Sequence, residues 1–467
     1  MRPTSLIPAF VDAIARLQER VPYASAFARS NAGTSARVSA LSTICQPISP
    51  QAGFTLSAWT GERFLEISSD RLDPAAVAQT TARLLERLRA LPRPDDAIMI
   101  DPGPLLDRRF SQDMQHDSRL IPAAEKVAFA TALRQRLLDG SPRMIEATGI
   151  IADVHAEICF VNASCQLGQE LHRIREMALG TFSDGTHQAE LHGGFERIGG
   201  WEHRTLEHRF IEDLRHDGPR LLGAGRLPDP GEHDCIFSGD FSGMFAHEAF
   251  GHGTEQDMFL KDRAKGAEFL GKPVASPLVD MIDDPANGWA ASYFFDDEGV
   301  LATPTRIISQ GVLVNGINDR YSAAVLNRRG LDVAKTANGR REAYDHKPYT
   351  RMTNTYFARG TSTFAEMLRT VSHGYYLTHP SNGMEDPKGW GIQLEGAMAE
   401  EIEGGRLTGR VFSPVVVTGS VPKLLQSVSQ VGDEVVEASL GMCGKGYKEW
   451  VKVTDGGPVM RLRAVLA

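Results

Sequence analysis

The chain is poor in cysteine and has no long apolar run. Its five cysteines, Cys45, Cys159, Cys165, Cys235 and Cys443, are odd in number and show no CxxC spacing. That excludes a disulfide framework and fits a reducing, cytoplasmic compartment. No stretch approaches the roughly 18 apolar residues that a membrane span requires, so no membrane partner is expected. The first residues, MRPTSLIPAFVDAIARLQER, lack the apolar run and cleavage site of a signal peptide and read as an amphipathic helix. A basic excess is also missing: 50 Lys and Arg against 59 Asp and Glu leave a net charge of −9. Phosphate binding usually needs the opposite balance, so no nucleic-acid partner is expected. GxSxG, Walker A and GxGxxG fingerprints are absent in the contexts that would give them meaning. This disfavours serine hydrolases, nucleotide hydrolases and dinucleotide enzymes. What is present is ordinary globular material, 42% hydrophobic and 23% charged over 467 residues, enough for two or three domains.

The pattern along the chain predicts an α+β protein. Residues 22 to about 70 alternate apolar and polar residues around turns, as strands do. DPAAVAQTTARLLERLRAL predicts a helix capped by Asp73, with Pro74 at its first position. Residues 92 to 118 read as a loop. PAAEKVAFATALRQRLLDG is a second helix stopped by Gly140, strands return from Met144 to about Gly200, and TLEHRFIEDLRHDGPRLL is a further helix. The first part is therefore an N-terminal domain with an antiparallel sheet and helices. LPDPGEHD marks a boundary, giving domains 1–228 and 229–467. The second is strand-rich. SYFFDDEG, TRIISQGVLVNGI, TNTYFARG, WGIQLEGAMAEEIEGGRLTGRVFSPVVVTG and PVMRLRAVL are its clearest strands, with a Gly-Gly hairpin turn in EIEGGRLTG. TFAEMLRTVSHG and SVPKLLQSVSQVG interrupt them as helices. DFSGMFAHEAFGHGTEQDMFL reads as one helix capped by Asp240 or Ser242.

That helix carries HExxxH. A zinc hydrolase needs imidazoles on one side of the metal, a third ligand, an open position and a base. His247 and His252 offer two ligands and Glu248 the base. Residues five apart on a regular α-helix point about 140° away from one another, whereas four apart leaves about 40°. HExxxH can chelate one ion only if the turn widens, as in a π-bulge, or the helix ends between the histidines. Gly251 and Gly253 give the backbone that freedom. The competing reading is a chance match, with Glu255 and Asp257 on a solvated face. Cys443, between glycines in SLGMCGKGYKE, is the best cysteine for a third ligand, and Lys445 could keep it ionised. The alternative is that Cys443 is a small buried hydrophobe.

Two further clusters stand out. ANGRREAYDHKPYTRMTNTY gathers Asn338, Arg340, Arg341, His346, Arg351 and Asn354, donors suited to a substrate-binding rim or an oxyanion-stabilising group. Salt bridges and turn capping are the alternative. YFFDDEG places Asp296, Asp297 and Glu298 together, which reads as a hairpin tip in water, with a second metal site as the other possibility.

HEAFGHGTEQD, DDEGVLATPT, NGRREAYDHKPYTRMTNTY and SLGMCGKG, in that order, resemble the TldD branch of the TldD/PmbA family of metallopeptidases, once described as DNA gyrase modulators. The resemblance is specific over roughly residues 230 to 450. It implies one zinc ion held by His247, His252 and Cys443, with Glu248 as general base. It implies extended unfolded or leader peptides as substrates, and pairing with a metal-free PmbA/TldE-like sister subunit, for which a homodimer could substitute. His346 or an arginine between 340 and 351 is the expected partner of the oxyanion. A non-catalytic binding or regulatory subunit, and a zinc amidohydrolase acting on a non-peptide substrate, are the competing functions.

Overall fold

The computed structural model describes residues 2–92, 94–438, 440–445 and 448–467. Its first large sheet is built from strands in the order Phe64–Ser69, Gln51–Trp59, Tyr23–Val38, Met144–Asn162, Cys165–Ser183 and Leu106–Ser111. Thr43–Pro47 pairs on Tyr23–Val38 and Gln188–Ile198 on Cys165–Ser183. All pairings are antiparallel except that of Leu106–Ser111. That strand lies inside the segment expected to be a loop. Its charged LDRRFS has no apolar alternation to betray it, because it is an edge strand exposed along most of its length.

Strand geometry sends successive side chains to opposite faces, and this sheet uses both. Ala24, Ala26 and Ala28 face the helices Ile7–Gln18 and Pro74–Arg89, packing with Phe10, Phe54 and Leu84. The helix cap expected at Asp73 is present, its carboxylate accepting from the amide of Ala76 at 2.7 Å. The other face, through Phe27, Ile158, Phe160 and Leu171, packs on Tyr293 and Phe295 of the C-terminal half. Burying a side chain of this size stabilises by about 1.5–3 kcal/mol.

The second sheet closes on itself. Gly231–Phe237, His373–Asp386, Gly391–Glu403, Val415–Ser420 and Thr454–Leu466 pair in a ring, the last strand returning to the first. From Thr454–Leu466 the sheet continues outward through Asn354–Phe357, Met281–Asp283 and Thr305–Ser309. The helix Gly239–Ala246 follows directly from the first barrel strand and buries Phe241 and Phe245 among Phe237, Leu377, Leu394 and Met460. Its approach to the last strand is close. A Cβ on Gly243 would lie 2.6 Å from the amide nitrogen of Gly456. The Gly404–Gly405 turn has φ of 56° and 76°, as a tight hairpin requires.

Several elements differ from the sequence reading. SYFFDDEG forms no strand, only an isolated bridge between Phe295 and Leu301. Asp296 and Glu298 are buried, so this is not a hairpin tip in water. Their carboxylates meet main-chain amides instead, Asp296 those of Glu298, Val300 and Gly339, and Glu298 that of Arg320. The long strand His373–Asp386 was hidden by its own punctuation: it contains Pro380 and Gly383, a bulge between Pro380 and Asn382, and His379 at φ 54°. The helix Arg320–Arg328 also escaped, although Asp319 and Ser322 form a capping box. Among the described residues no helix is long and apolar enough to cross a membrane.

Candidate metal centre

The single helix expected over DFSGMFAHEAFGHGTEQDMFL is broken into pieces. Regular α-helix ends at Ala246, a π-helical turn covers His247–Gly251, a 3-10 turn covers His252–Thr254, and a short helix spans Gln256–Phe259. The N-cap is Ser238, not Asp240 or Ser242. The widened turn required by five-residue spacing is thus present between the two histidines. A side chain at Gly251 would force Met352 to move, its sulfur lying 2.1 Å from an added Cβ, so glycine lets the turn pass there without disturbing the core.

Unwinding brings the two rings to the same side, 5.0 Å between centroids and nearly perpendicular. Both point at the hairpin formed by Met442–Lys445 and Lys448–Lys452. Cys443 Sγ lies 3.1 Å from Nε2 of His247 and 3.2 Å from Nε2 of His252. The remaining ring nitrogens are held by carboxylates: Nδ1 of His247 is 2.8 Å from Asp455 and Nδ1 of His252 is 3.2 Å from Glu255. This is how metal-binding imidazoles are oriented, each with its second nitrogen on an oxygen. Ligand atoms around tetrahedral zinc, at about 2.0–2.3 Å from the ion, stand roughly 3.3–3.6 Å apart. The observed separations are only a few tenths of an ångström shorter. Two imidazoles and a thiol converging in a buried recess are also the donor set that zinc favours. The residues fit the ion.

Electrostatics agree with the geometry. Burial opposes charge on all three groups, but the thiolate and the two rings reverse that effect for one another. Cys443 is held well below the ordinary thiol range, and His247 is raised well above the ordinary imidazole range, with Asp455 contributing. Burial likewise opposes charge on His252, yet Cys443 and Glu255 push it up to about 10. Lys445 does not serve the thiolate. Its ammonium pairs with Asp257 at 2.8 Å and Glu255 at 3.2 Å. Arg351 does so instead, donating from Nη2 to Cys443 Sγ at 2.8 Å and from Nε to Glu255 at 3.3 Å. Glu255 and Asp257 are buried parts of this network, not a solvated face.

Glu248 sits on the same widened turn. Burial raises its carboxyl pKa, while both neighbouring histidines pull it down. The strand His373–Asp386 passes beside it with no side chain in the way: a Cβ on Gly383 would lie 2.5 Å from Glu248 Cγ. Glu385 of that strand has both carboxylate oxygens buried without a hydrogen-bond partner among the described residues. Glu385 and Asp455 carry no signal in the sequence that would have picked them out.

The other sequence candidates divide. Asn338 is spent inside the protein, donating to Asp283 and to the carbonyl of Arg351. Asn354 donates to Asp284, Asn287 and Ser292 and accepts from the amide of Ala291. Both hold the 338–354 segment in shape, and neither is brought to the histidines. Arg340 donates to the carbonyl of Met352 and lies over the ring of Tyr293. Arg341 pairs with Glu66 of the first sheet at 3.0 Å and also donates to the carbonyl of His346. His346 is itself partly exposed beside Glu342, at 3.4 Å, and Glu449, at 3.9 Å, and no contact joins it to His247, His252 or Cys443 among the described residues.

A family model described as the PmbA/TldA metallopeptidase C-terminal domain matches residues 230–466. The chain belongs to the TldD/PmbA metallopeptidase family. A metalloprotease of Methanothermobacter thermautotrophicus is 32% identical over 73% of this chain and 74% of its own length. A zinc metalloprotease TldD homolog of Saccharolobus solfataricus is 28% identical over 56% of this chain and 54% of its own length. The crystal structure of TldE from Thermococcus kodakarensis superposes with a TM-score of 0.75, covering 98% of this chain and all of that one, at 15% identity. That last likeness extends the TldD/PmbA fold over the N-terminal half as well. As a TldD-family metalloprotease the chain brings together its HExxxH histidines and its late cysteine, residues nearly two hundred positions apart.

Proposed function

We propose that the protein is a zinc-dependent peptidase that hydrolyses extended, unfolded or leader peptides with little sequence preference. The observation that carries this reading is the convergence of His247 Nε2, His252 Nε2 and Cys443 Sγ beside the carboxylate of Glu248. These three side chains would hold one zinc ion, which when bound supplies Lewis-acid polarisation of water and of the scissile carbonyl. Glu248 takes the proton of the attacking water on its carboxylate and returns it to the amine nitrogen that leaves. Its buried setting keeps its pKa above the ordinary carboxylate range, which suits a group that must both accept and release that proton. Asp455 and Glu255 fix the tautomer and direction of the two rings. Arg351 stabilises the thiolate form of Cys443. With His346 apart from the metal group, Arg351 committed to Cys443 and Glu255, and Arg341 paired with Glu66, Arg340 is the better candidate for meeting the substrate.

Main-chain pairing with an extended peptide reads little sequence, and broad specificity follows. We also propose a division at residues 228/229 and a working assembly with a PmbA/TldE-like subunit, or with a second copy of this chain. Light scattering on the purified protein alone reads the homodimer directly. The catalytic reading is tested by Glu248→Gln. It should retain its metal and lose cleavage of an unstructured peptide by about 100- to 10,000-fold. Normal turnover in that variant removes Glu248 from the mechanism.

A further inference from the structure

Beside the hairpin that carries Cys443 lies a cavity of about 150 Å³, between the first sheet and the C-terminal half. Arg29 and Arg173 reach it from the first sheet, and Arg340, Arg341 and Lys452 from the other side. Arg29 belongs to the sheet face that carries Phe27, and Arg173 to the one that carries Leu171, so period-two alternation directs both toward the C-terminal half. Met442 and Val451 of the hairpin line the same cavity, and Val451 is the register partner of Cys443.

The balance of charge is unusual. Lys452 is paired with Glu196 at 2.9 Å and Arg341 with Glu66 at 3.0 Å. Arg29, Arg173 and Arg340 have no carboxylate within 4.0 Å among the described residues. Among the described residues Arg173 donates only to the carbonyls of Ala290 and Ser292, and Arg340 to that of Met352. Nε of Arg29 and Nε of Arg341 are buried with no hydrogen-bond partner among the described residues. Three acids do line the cavity and accept from main-chain amides, Asp296 from Gly339, Asp297 from Arg341, and Glu342 from Glu449 and Trp450; Glu196 acts on Arg173, and Asp297 and Asp283 on Arg340, only from beyond ion-pair distance. Burial lowers the pKa of Arg173, to about 10, and that of Arg340, though both stay protonated at neutral pH. Holding a largely desolvated guanidinium with no carboxylate in contact is costly. In a chain of net charge −9, such a cluster calls for an anion that arrives from outside.

We propose that this cavity is an anion subsite that receives a carboxylate of the peptide substrate, held by Arg29, Arg173 and Arg340. Guanidinium forks match a carboxylate in shape and charge. The volume suits one residue, and the shared hairpin sets the anchored residue beside the metal group. The carboxylate is either the C-terminus of the peptide or an Asp or Glu side chain. This inference rests on the peptidase reading for its substrate class.

The test reads binding, not turnover, in the full-length Glu248→Gln protein. Calorimetry uses acetyl-Ala-Ala-Ala, its C-terminal amide, acetyl-Ala-Glu-Ala-amide and acetyl-Ala-Gln-Ala-amide. At least one acid should bind about 10- to 100-fold more tightly than its neutral match. Preference for the free terminus assigns the C-terminal carboxylate, and preference for Glu over Gln assigns the side chain. Arg29→Gln should abolish the preference without weakening the neutral peptides, and Arg29→Lys should restore part of it. Sodium acetate, against equal chloride, should raise the melting temperature of the parent protein and not that of the Arg29→Gln variant. Equal affinity for acid and neutral peptides overturns the proposal, as does a preference that survives Arg29→Gln. If Arg29→Gln does not fold, the acid-to-neutral comparison in the parent decides alone. An acetate effect without any peptide binding overturns the substrate assignment. Failure of the wild type to cleave peptides counts against the peptidase reading and leaves the acetate result standing.

Discussion

Arg351, wholly buried, places Nη2 2.8 Å from the sulfur of Cys443 while its Nε faces Glu255, the carboxylate that orients His252. One guanidinium thereby couples Cys443 to His252, the proposed third and second ligands. Lysine lacks the fork needed to reach both. Arg351→Lys should therefore weaken metal binding by about 10- to 100-fold, the usual cost of losing an orienting partner. Competition with a chelator of known affinity measures it. Unchanged affinity would mean that the arginine only fills space.

The helix that delivers His247 depends on its contact with the last barrel strand. Gly243→Ala would set a methyl 2.6 Å from the amide nitrogen and 2.8 Å from the Cα of Gly456. Neither backbone atom can move without shifting the barrel. The expected loss is about 1–3 kcal/mol of stability, seen in a denaturant melt. The same change should weaken metal binding, because Gly243 and His247 share the helix.

The junction between the two halves has its own pH window. Asp217, on the helix Arg209–Leu221, lies 2.8 Å from Nε2 of His379 on the barrel, and Arg220 of that helix joins Asp217 to Glu400. Burial would raise the Asp217 pKa, but His379 and its other partners hold it at about 2. His379 is pushed up, against the effect of its own burial, by the hydrogen bond with Asp217 and by Asp240. The contribution of Asp217 is full above the ordinary carboxylate range and falls as pH drops toward 2. That of His379 is full below the ordinary imidazole pKa and is lost as pH rises through its elevated value. The contact should be strongest between about pH 4 and pH 6.5. Asp217→Asn should cost ~2 kcal/mol in that window and less outside it. Thermal melts across pH give the profile, and a pH-independent loss would contradict it.

Much of this architecture was legible because its signals are local. Asp73 and Pro74 announce a helix start, Gly404 and Gly405 a hairpin, and alternation the long strands of the first sheet. The spacing of His247 and His252 demanded a distorted turn, and a π-helical turn is there. What escaped reading depends on contacts distant in sequence. Leu106–Ser111 is a strand only because Cys165–Ser183 offers it an edge. Lys445 is the charged neighbour of Cys443 in sequence, yet it turns to Asp257 while Arg351 crosses to the sulfur. Asn338 and Asn354 resembled a binding rim by composition, but burial commits their amides to the protein. Asp455 could not be chosen among 59 acidic residues without knowing that its strand runs beside the metal helix.

His247, His252 and Cys443 are proposed to hold one metal ion together. Metal analysis of the purified wild type beside His247→Ala and Cys443→Ser tests it most directly. The wild type should carry one zinc per chain and both variants should lose it, each still folded by circular dichroism. A wild type without zinc, or a zinc content that neither substitution changes, would contradict it.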